Sequence, residues 1–106
     1  MPHPWLLYHL VPAGIWEGAP DPYEPSGYAG TGFIHLSSSD QIDIPGRALY
    51  AGRDDMLLLV IDRRRIPAEV RFEEGDPPRA GMLFPHLYGP LPRDAVIDVL
   101  PYRAPA

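Results

Sequence analysis

Apolar residues in this chain fall in short runs with a two-residue period, punctuated by proline and glycine, which is the pattern of strands rather than helices. Residues Trp5 to Val11 read as a first strand, with Trp5, Leu7 and His9 on one face and Leu6, Tyr8 and Leu10 on the other. Pro12 ends it, and Ala13 to Gly18 has room for one short helical turn around Trp16. From Ala19 to Gly30, prolines and glycines alternate with Tyr23 and Tyr28, which reads as an ordered loop. Gly32 to Leu36 is a second strand. Ser37, Ser38 and Ser39 then offer N-caps for a short helix beginning near Asp40, which Pro45 and Gly46 limit.

Asp54-Asp55 is a turn. Met56 to Asp62 is six apolar residues closed by an acid, the signature of a central strand covered on both faces. Glu69 to Glu73 alternates, Val70 and Phe72 opposite Arg71 and Glu73, and reads as a strand with one wet face. Glu74 to Gly81 reads as a polar loop, Met82 to Leu87 as extended chain around Pro85, and Asp94 to Tyr102 as the last strand. The expectation is one α+β domain over residues 1–106, compact, with a mostly antiparallel sheet and few short helices.

Composition narrows the function classes. Hydrophobic content is 45% and charged content 22%, both ordinary for a globular chain. A net charge of -5 argues against general nucleic-acid or membrane binding. With no cysteine, disulfides and thiolate metal sites are excluded. The opening residues lack a basic region followed by a long apolar segment, and the run from Met56 to Ile61 is far too short to span a bilayer, so a cytoplasmic protein is expected. The four histidines, His3, His9, His35 and His86, make no local ligand pair, and no metal is expected.

Two histidine segments stand out: Gly32-Phe33-Ile34-His35-Leu36-Ser37-Ser38-Ser39 and Phe84-Pro85-His86-Leu87-Tyr88-Gly89-Pro90. An imidazole in an apolar strand must find a partner or a purpose, because an unpaired buried polar group costs roughly 1–3 kcal/mol. His9 in its strand reads equally as a satisfied structural histidine, the serines as helix caps, Glu73 as a solvated strand residue, and Tyr88 and Trp16 as core or pocket wall. There is no Gly-x-Ser-x-Gly elbow, no Walker segment and no Gly-x-Gly-x-x-Gly. The run Leu36 to Ser39 could hold one anionic group, with Arg47, Arg53, Arg71 and Arg79 as countercharge.

The matching residues run in order along nearly the whole chain: Tyr8, Trp16, Gly32-Phe33-Ile34-His35-Leu36-Ser37, Gln41, Ala51-Gly52, Asp55, Leu58 to Asp62, Arg71-Phe72-Glu73 and Leu83 to Leu91. On these the chain resembles the domain-of-unknown-function family 952, small bacterial proteins held to be distantly similar to the ADP-ribosyltransferase fold. Phe33-Ile34-His35-Leu36-Ser37 is also similar to the His-Leu-Ser segment of NAD-linked RNA 2′-phosphotransferases. The resemblance implies a minimal ADP-ribosyltransferase-like fold, with His9 at the position that grips the NAD ribose and His35 and Ser37 beside the nicotinamide ribose. Such folds place a glutamate on a late strand. No glutamate follows Glu74, so either His86 stands in or the chain binds ADP-ribose without transferring it. Two departures from the family adjoin this pocket: the proline-rich loop from Ala19 to Pro25, and Ile44-Pro45-Gly46, which is expected to break the helix.

The resulting expectation is a nucleotide-like small-molecule ligand, NAD or an ADP-ribose compound, in a cleft formed by His9, His35, Ser37, Ser38, Tyr88, Trp16 and His86. The catalytic candidates are His35, His86 and Glu73, the carboxylate nominated to stabilise a developing positive centre. The alternatives are a non-catalytic nucleotide or metabolite module, and a structural partner protein with no small ligand. A shared pocket requires the His35 and His86 rings to lie within about 12 Å of each other.

Overall fold

Two three-stranded antiparallel sheets carry the chain, in the orders β1-β3-β6 and β2-β5-β4. The computed structural model describes residues 5–79 and 81–106, the side chains of residues 76–79 excepted. In chain order the elements are β1 (Leu6–Pro12), α1 (Ala13–Glu17), α2 (Tyr28–Thr31), β2 (Ile34–His35), α3 (Asp43–Tyr50), β3 (Met56–Asp62), β4 (Glu69–Arg79), β5 (Met82–Tyr88) and β6 (Val96–Tyr102). Short 3₁₀ turns at Arg63–Arg65 and Arg93–Ala95 lead out of β3 and into β6.

As its unbroken apolar run predicts, β3 is the central strand of its sheet. Leu59 and Ile61 are fully buried between β1 and β6. The core gathers Leu7, Val11, Ile34 and Leu87 from both sheets, Trp16 from α1, and Tyr23, Leu36 and Leu91 from the connecting segments around them. The fold is thus a compact α+β arrangement with a radius of gyration of 12.8 Å, the size expected of a packed chain of this length.

Several elements differ from the sequence reading. The strand expected over Gly32 to Leu36 forms a regular ladder only at Ile34–His35. Leu36 N–H donates to Pro85 O (3.0 Å), whereas Ser37 exchanges both backbone bonds with Tyr8 on β1 (2.8 Å each). The segment from Ile34 to Ser37 therefore ties one sheet to the other. Ser37 to Ser39 do not cap a helix. The Gln41 side chain instead accepts from Ser38 N–H (3.1 Å), and α3 starts at Asp43.

Pro45 and Gly46 lie inside α3 and do not break it. Pro45 is its third residue, where an N–H would have no helical partner, so nothing is lost. Gly46 leaves the space that the Tyr102 hydroxyl occupies, and that hydroxyl donates to Asp43 (2.5 Å). The polar loop expected from Glu74 belongs mostly to β4, which continues to Arg79 and turns through Gly81 at φ 72°. Phe72 is exposed beneath the Arg63 guanidinium (5.5 Å), not buried beside Val70.

Candidate functional site

Strand alternation places the chemistry on one face of the β2-β5-β4 sheet. In the ladders His35 lies opposite His86, His86 opposite Arg71, Phe84 opposite Glu73 and Tyr88 opposite Glu69. Residues paired this way share a face, and Phe33, two before His35, joins them. The intervening Ile34, Leu36, Pro85 and Leu87 point the other way into the core. Alternate positions of the same two segments thus serve packing and chemistry.

Three rings meet on this face. Phe33 stacks on His86 with centroids 4.2 Å apart and planes 21° from parallel. The His35 ring meets Phe33 edge-on at 4.9 Å and His86 edge-on at 5.2 Å. The two histidine segments therefore converge well within the span of one small ligand.

Behind them, Glu73 Oε1 accepts from the Tyr88 hydroxyl (2.6 Å) and from His86 Nδ1–H (2.9 Å). The Tyr88 hydroxyl first, and His86 second, hold the Glu73 carboxyl below the usual carboxylate range. Glu73 pushes the Tyr88 phenol up in return. The Arg71 guanidinium lies 4.4 Å over the Tyr88 ring and is itself held by Glu69. Because an ionised carboxylate only accepts, Nδ1 of His86 carries the proton, and in that Nδ1–H tautomer Nε2 carries the lone pair. That Nε2 is buried and has no hydrogen-bond partner among the described residues.

His9 approaches from β1. Its Nδ1–H donates to the His35 carbonyl (2.8 Å), so Nε2 accepts from the Tyr23 hydroxyl (3.1 Å). Burial drives its pKa down from 6.5 to about 4, the bond to the His35 carbonyl opposing. Burial likewise pushes the Tyr23 phenol up to about 12. Both nitrogens of His9 are thus engaged within the protein.

These rings wall an open cleft of about 530 Å³. Tyr28 of α2, Ile42 just before α3, and Leu49 and Tyr50 of α3 line it, together with Ser37, Phe84 and the histidines. No Arg, Asp or Glu is among its described lining residues. Arg53 is paired with Asp55, Arg71 with Glu69, and the Arg79 side chain lies outside the described residues. Among the described residues no group of three or more His, Asp or Glu could hold a metal, and no helix is long and apolar enough to cross a membrane.

Of the residues singled out from sequence, His9, His35, Ser37 and His86 line this cleft. Glu73 and Tyr88 stand one layer behind, acting on His86. Ser38 turns its hydroxyl to Asp40, away from the lining. Trp16 is in the core against Tyr23 (5.4 Å) and under the Arg93 guanidinium (3.8 Å). The sequence reading missed Phe33, although its position two before His35 on an alternating strand puts it on the same face. Tyr23, Tyr28 and Tyr50 come from loop and helix, where no period could have pointed to them.

The chain is similar to protein CC0527 from Caulobacter crescentus. Crystal structures of that protein and of a double mutant of it superpose with TM-score 0.78 at 26% identity, covering 91% of this chain and 84% of that one. Its solution NMR structure, at TM-score 0.71 and 23% identity over 92% and 84% of the two chains, supports the fold alone. No curated protein matches. The model described as Protein of unknown function (DUF952) matches residues 10–99, and the chain belongs to that family.

Proposed function

We propose that this domain binds a nucleotide-like small molecule of the NAD or ADP-ribose class, with a flat ring end inserted among Phe33, His35 and His86. The reading rests on one observation: these three rings, Ser37 and His9 share a single cleft of about 530 Å³, a size typical of small-molecule sites. Aromatic walls favour a planar heterocycle by stacking. No guanidinium is among the described lining residues of the cleft, so the uncharged ring and sugar belong inside it and the phosphates at its open side. The resemblance of the Phe33-to-Ser37 segment to the His-Leu-Ser segment of NAD-linked RNA 2′-phosphotransferases supports the same ligand class.

Binding is better supported than transfer. The nominated carboxylate, Glu73, is occupied by His86 and Tyr88 and is not part of the cleft wall. His9, with both nitrogens engaged, braces the wall rather than offering a free ring nitrogen to a ribose.

The test is a thermal-shift and calorimetric screen with NAD, ADP-ribose, nicotinamide and AMP. A probe at about 100 times its dissociation constant adds roughly 2.7 kcal/mol of stability. A shift with NAD or ADP-ribose that is lost in Phe33→Ala is expected. No shift with any of the four refutes the reading, and nicotinamide release from NAD would reinstate transfer.

A further inference from the structure

His86 presents an unusual combination. Its side chain is 4% exposed, its Nδ1–H is anchored on Glu73, and its Nε2 has no partner among the described residues. Proteins rarely leave such an atom unmatched, and each instance calls for an explanation. The anchored nitrogen faces Glu73, which is outside the cleft wall, whereas the ring itself lines the cleft. Phe33 covers one face of the ring and His35 meets it edge-on.

Deepening the ring-binding function above, on which it rests for the ligand class, we propose that Glu73 and Tyr88 lock His86 as its Nδ1–H tautomer so that Nε2 accepts a hydrogen bond from an O–H or N–H group on the ligand. The site then selects ligands carrying a donor beside a planar ring, such as a sugar hydroxyl or a primary carboxamide, over ring compounds that only accept. Glu73 and Tyr88 are positioning residues: they touch His86, not the ligand. The donor reaches Nε2 when Phe33 or His35 swings aside, a side-chain rotation that leaves the strands in place.

The arrangement also accounts for the order of residues along the two strands. Glu73 lies opposite Phe84, two residues before His86, and Tyr88 lies two residues after it. A single carboxylate oxygen therefore reaches both the phenol and the imidazole. The Tyr88 hydroxyl occupies a second lone pair of that oxygen, and the Arg71–Glu69 pair packs on the Tyr88 ring. Those contacts leave the carboxylate little freedom to turn away from His86.

The experiment is long-range ¹H–¹⁵N NMR of the full chain labelled uniformly with ¹⁵N, alone and with NAD, nicotinamide or adenosine added. In the free protein the His86 Nδ1 should be protonated and its Nε2 bare. A protonated Nε2 overturns the proposal whatever the ligand proves to be. With a probe bound, seen from shifts at Phe33 and Ser37, the Nε2 signal should move as a lone pair does on accepting a hydrogen bond. Binding that leaves it unmoved also overturns the proposal. Glu73→Gln offers Nδ1 a donor as readily as an acceptor, so it should lose the single tautomer and roughly tenfold in probe affinity, the loss expected of one hydrogen bond. Tyr88→Phe should show the same change to a smaller degree. If no probe binds, the ring-ligand function fails, and the tautomer alone decides the lock.

Discussion

Lowering the pH from 7 to 5 should destabilise this protein through His9, by an amount the structure allows to be worked out. Its folded pKa of about 4 lies below the ordinary 6.5. A base with a depressed folded value binds fewer protons folded than unfolded, so its contribution is intact above about pH 6.5 and is lost as the pH falls toward 4. The full gap corresponds to about 3 kcal/mol, and by pH 5 the unfolded chain would have gained about 2 kcal/mol from protonation. His9 is only half-buried as a residue, so solvent screening brings the expected loss to about 1–2 kcal/mol. For a chain of this size that is roughly 5–10 °C in Tm. The assay is urea unfolding at half-unit intervals from pH 7.5 to 4.5, wild type beside His9→Gln, which keeps a donor and an acceptor but does not titrate. The difference between the two curves isolates His9 from the other groups. Asp55, Asp62 and Glu73, all depressed by their hydrogen-bond partners, begin to lose their contributions only toward the acid end of this window, and do so alike in both proteins. Parallel curves between pH 7 and 5 would refute the reasoning.

Gly46→Ala should destabilise the chain by about 1–2 kcal/mol in urea unfolding, because overpacking and the lost Tyr102–Asp43 bond outweigh the roughly 1 kcal/mol gained in helix propensity. In a Tyr102→Phe background the same change should be neutral or stabilising; equal destabilisation there would show that the hydroxyl is not the obstacle. Trp16→Phe should lower stability by roughly 1–2 kcal/mol through lost packing against Tyr23 and Arg93, and should leave probe affinity unchanged because Trp16 does not line the cleft. A calorimetric loss of affinity in Trp16→Phe would place the ligand deeper than this cleft.

The strands were legible because their signal is local. β3 announces itself by six apolar residues in a row, and β1 by alternation ended at Pro12. The helix α3 was half hidden. Pro45 and Gly46 read as breakers, yet a proline in the first turn costs nothing, and the glycine answers to Tyr102, a residue 56 positions away, whose approach no local rule reveals. Phe72 misled for a related reason: alternation marks faces but cannot say which apolar residue finds a core and which finds only the Arg63 guanidinium. The site was legible as residue types and not as an arrangement. His35 and His86 were singled out by their surroundings, but that they are directly opposed follows from strand register, which is set by long-range pairing. Once that register is known, Phe33 and the Glu73–His86–Tyr88 set follow from alternation alone.

His9 shows why the site lies at the join between the two sheets. The segment from Ile34 to Ser37 pairs with β5 at its start and with β1 at its end. Backbone groups at such a crossing need partners once they leave one ladder and before they enter the next. Ser37 finds its partner in the Tyr8 backbone. The His35 carbonyl receives its hydrogen from the side chain of His9 instead (2.8 Å), so an imidazole supplies the link that the β1 backbone does not. That substitution fixes the His35 backbone, and with it the ring that packs on Phe33 and His86. It also explains why His9 must stay neutral: its other nitrogen is committed to accepting from Tyr23 (3.1 Å), itself tied by backbone bonds to Leu91. Protonating His9 converts that acceptor to a donor facing a hydroxyl that must turn around. The acid sensitivity expected of the fold and the order of the cleft wall therefore have one origin, and a His9 variant that melts earlier should also bind ring probes less tightly.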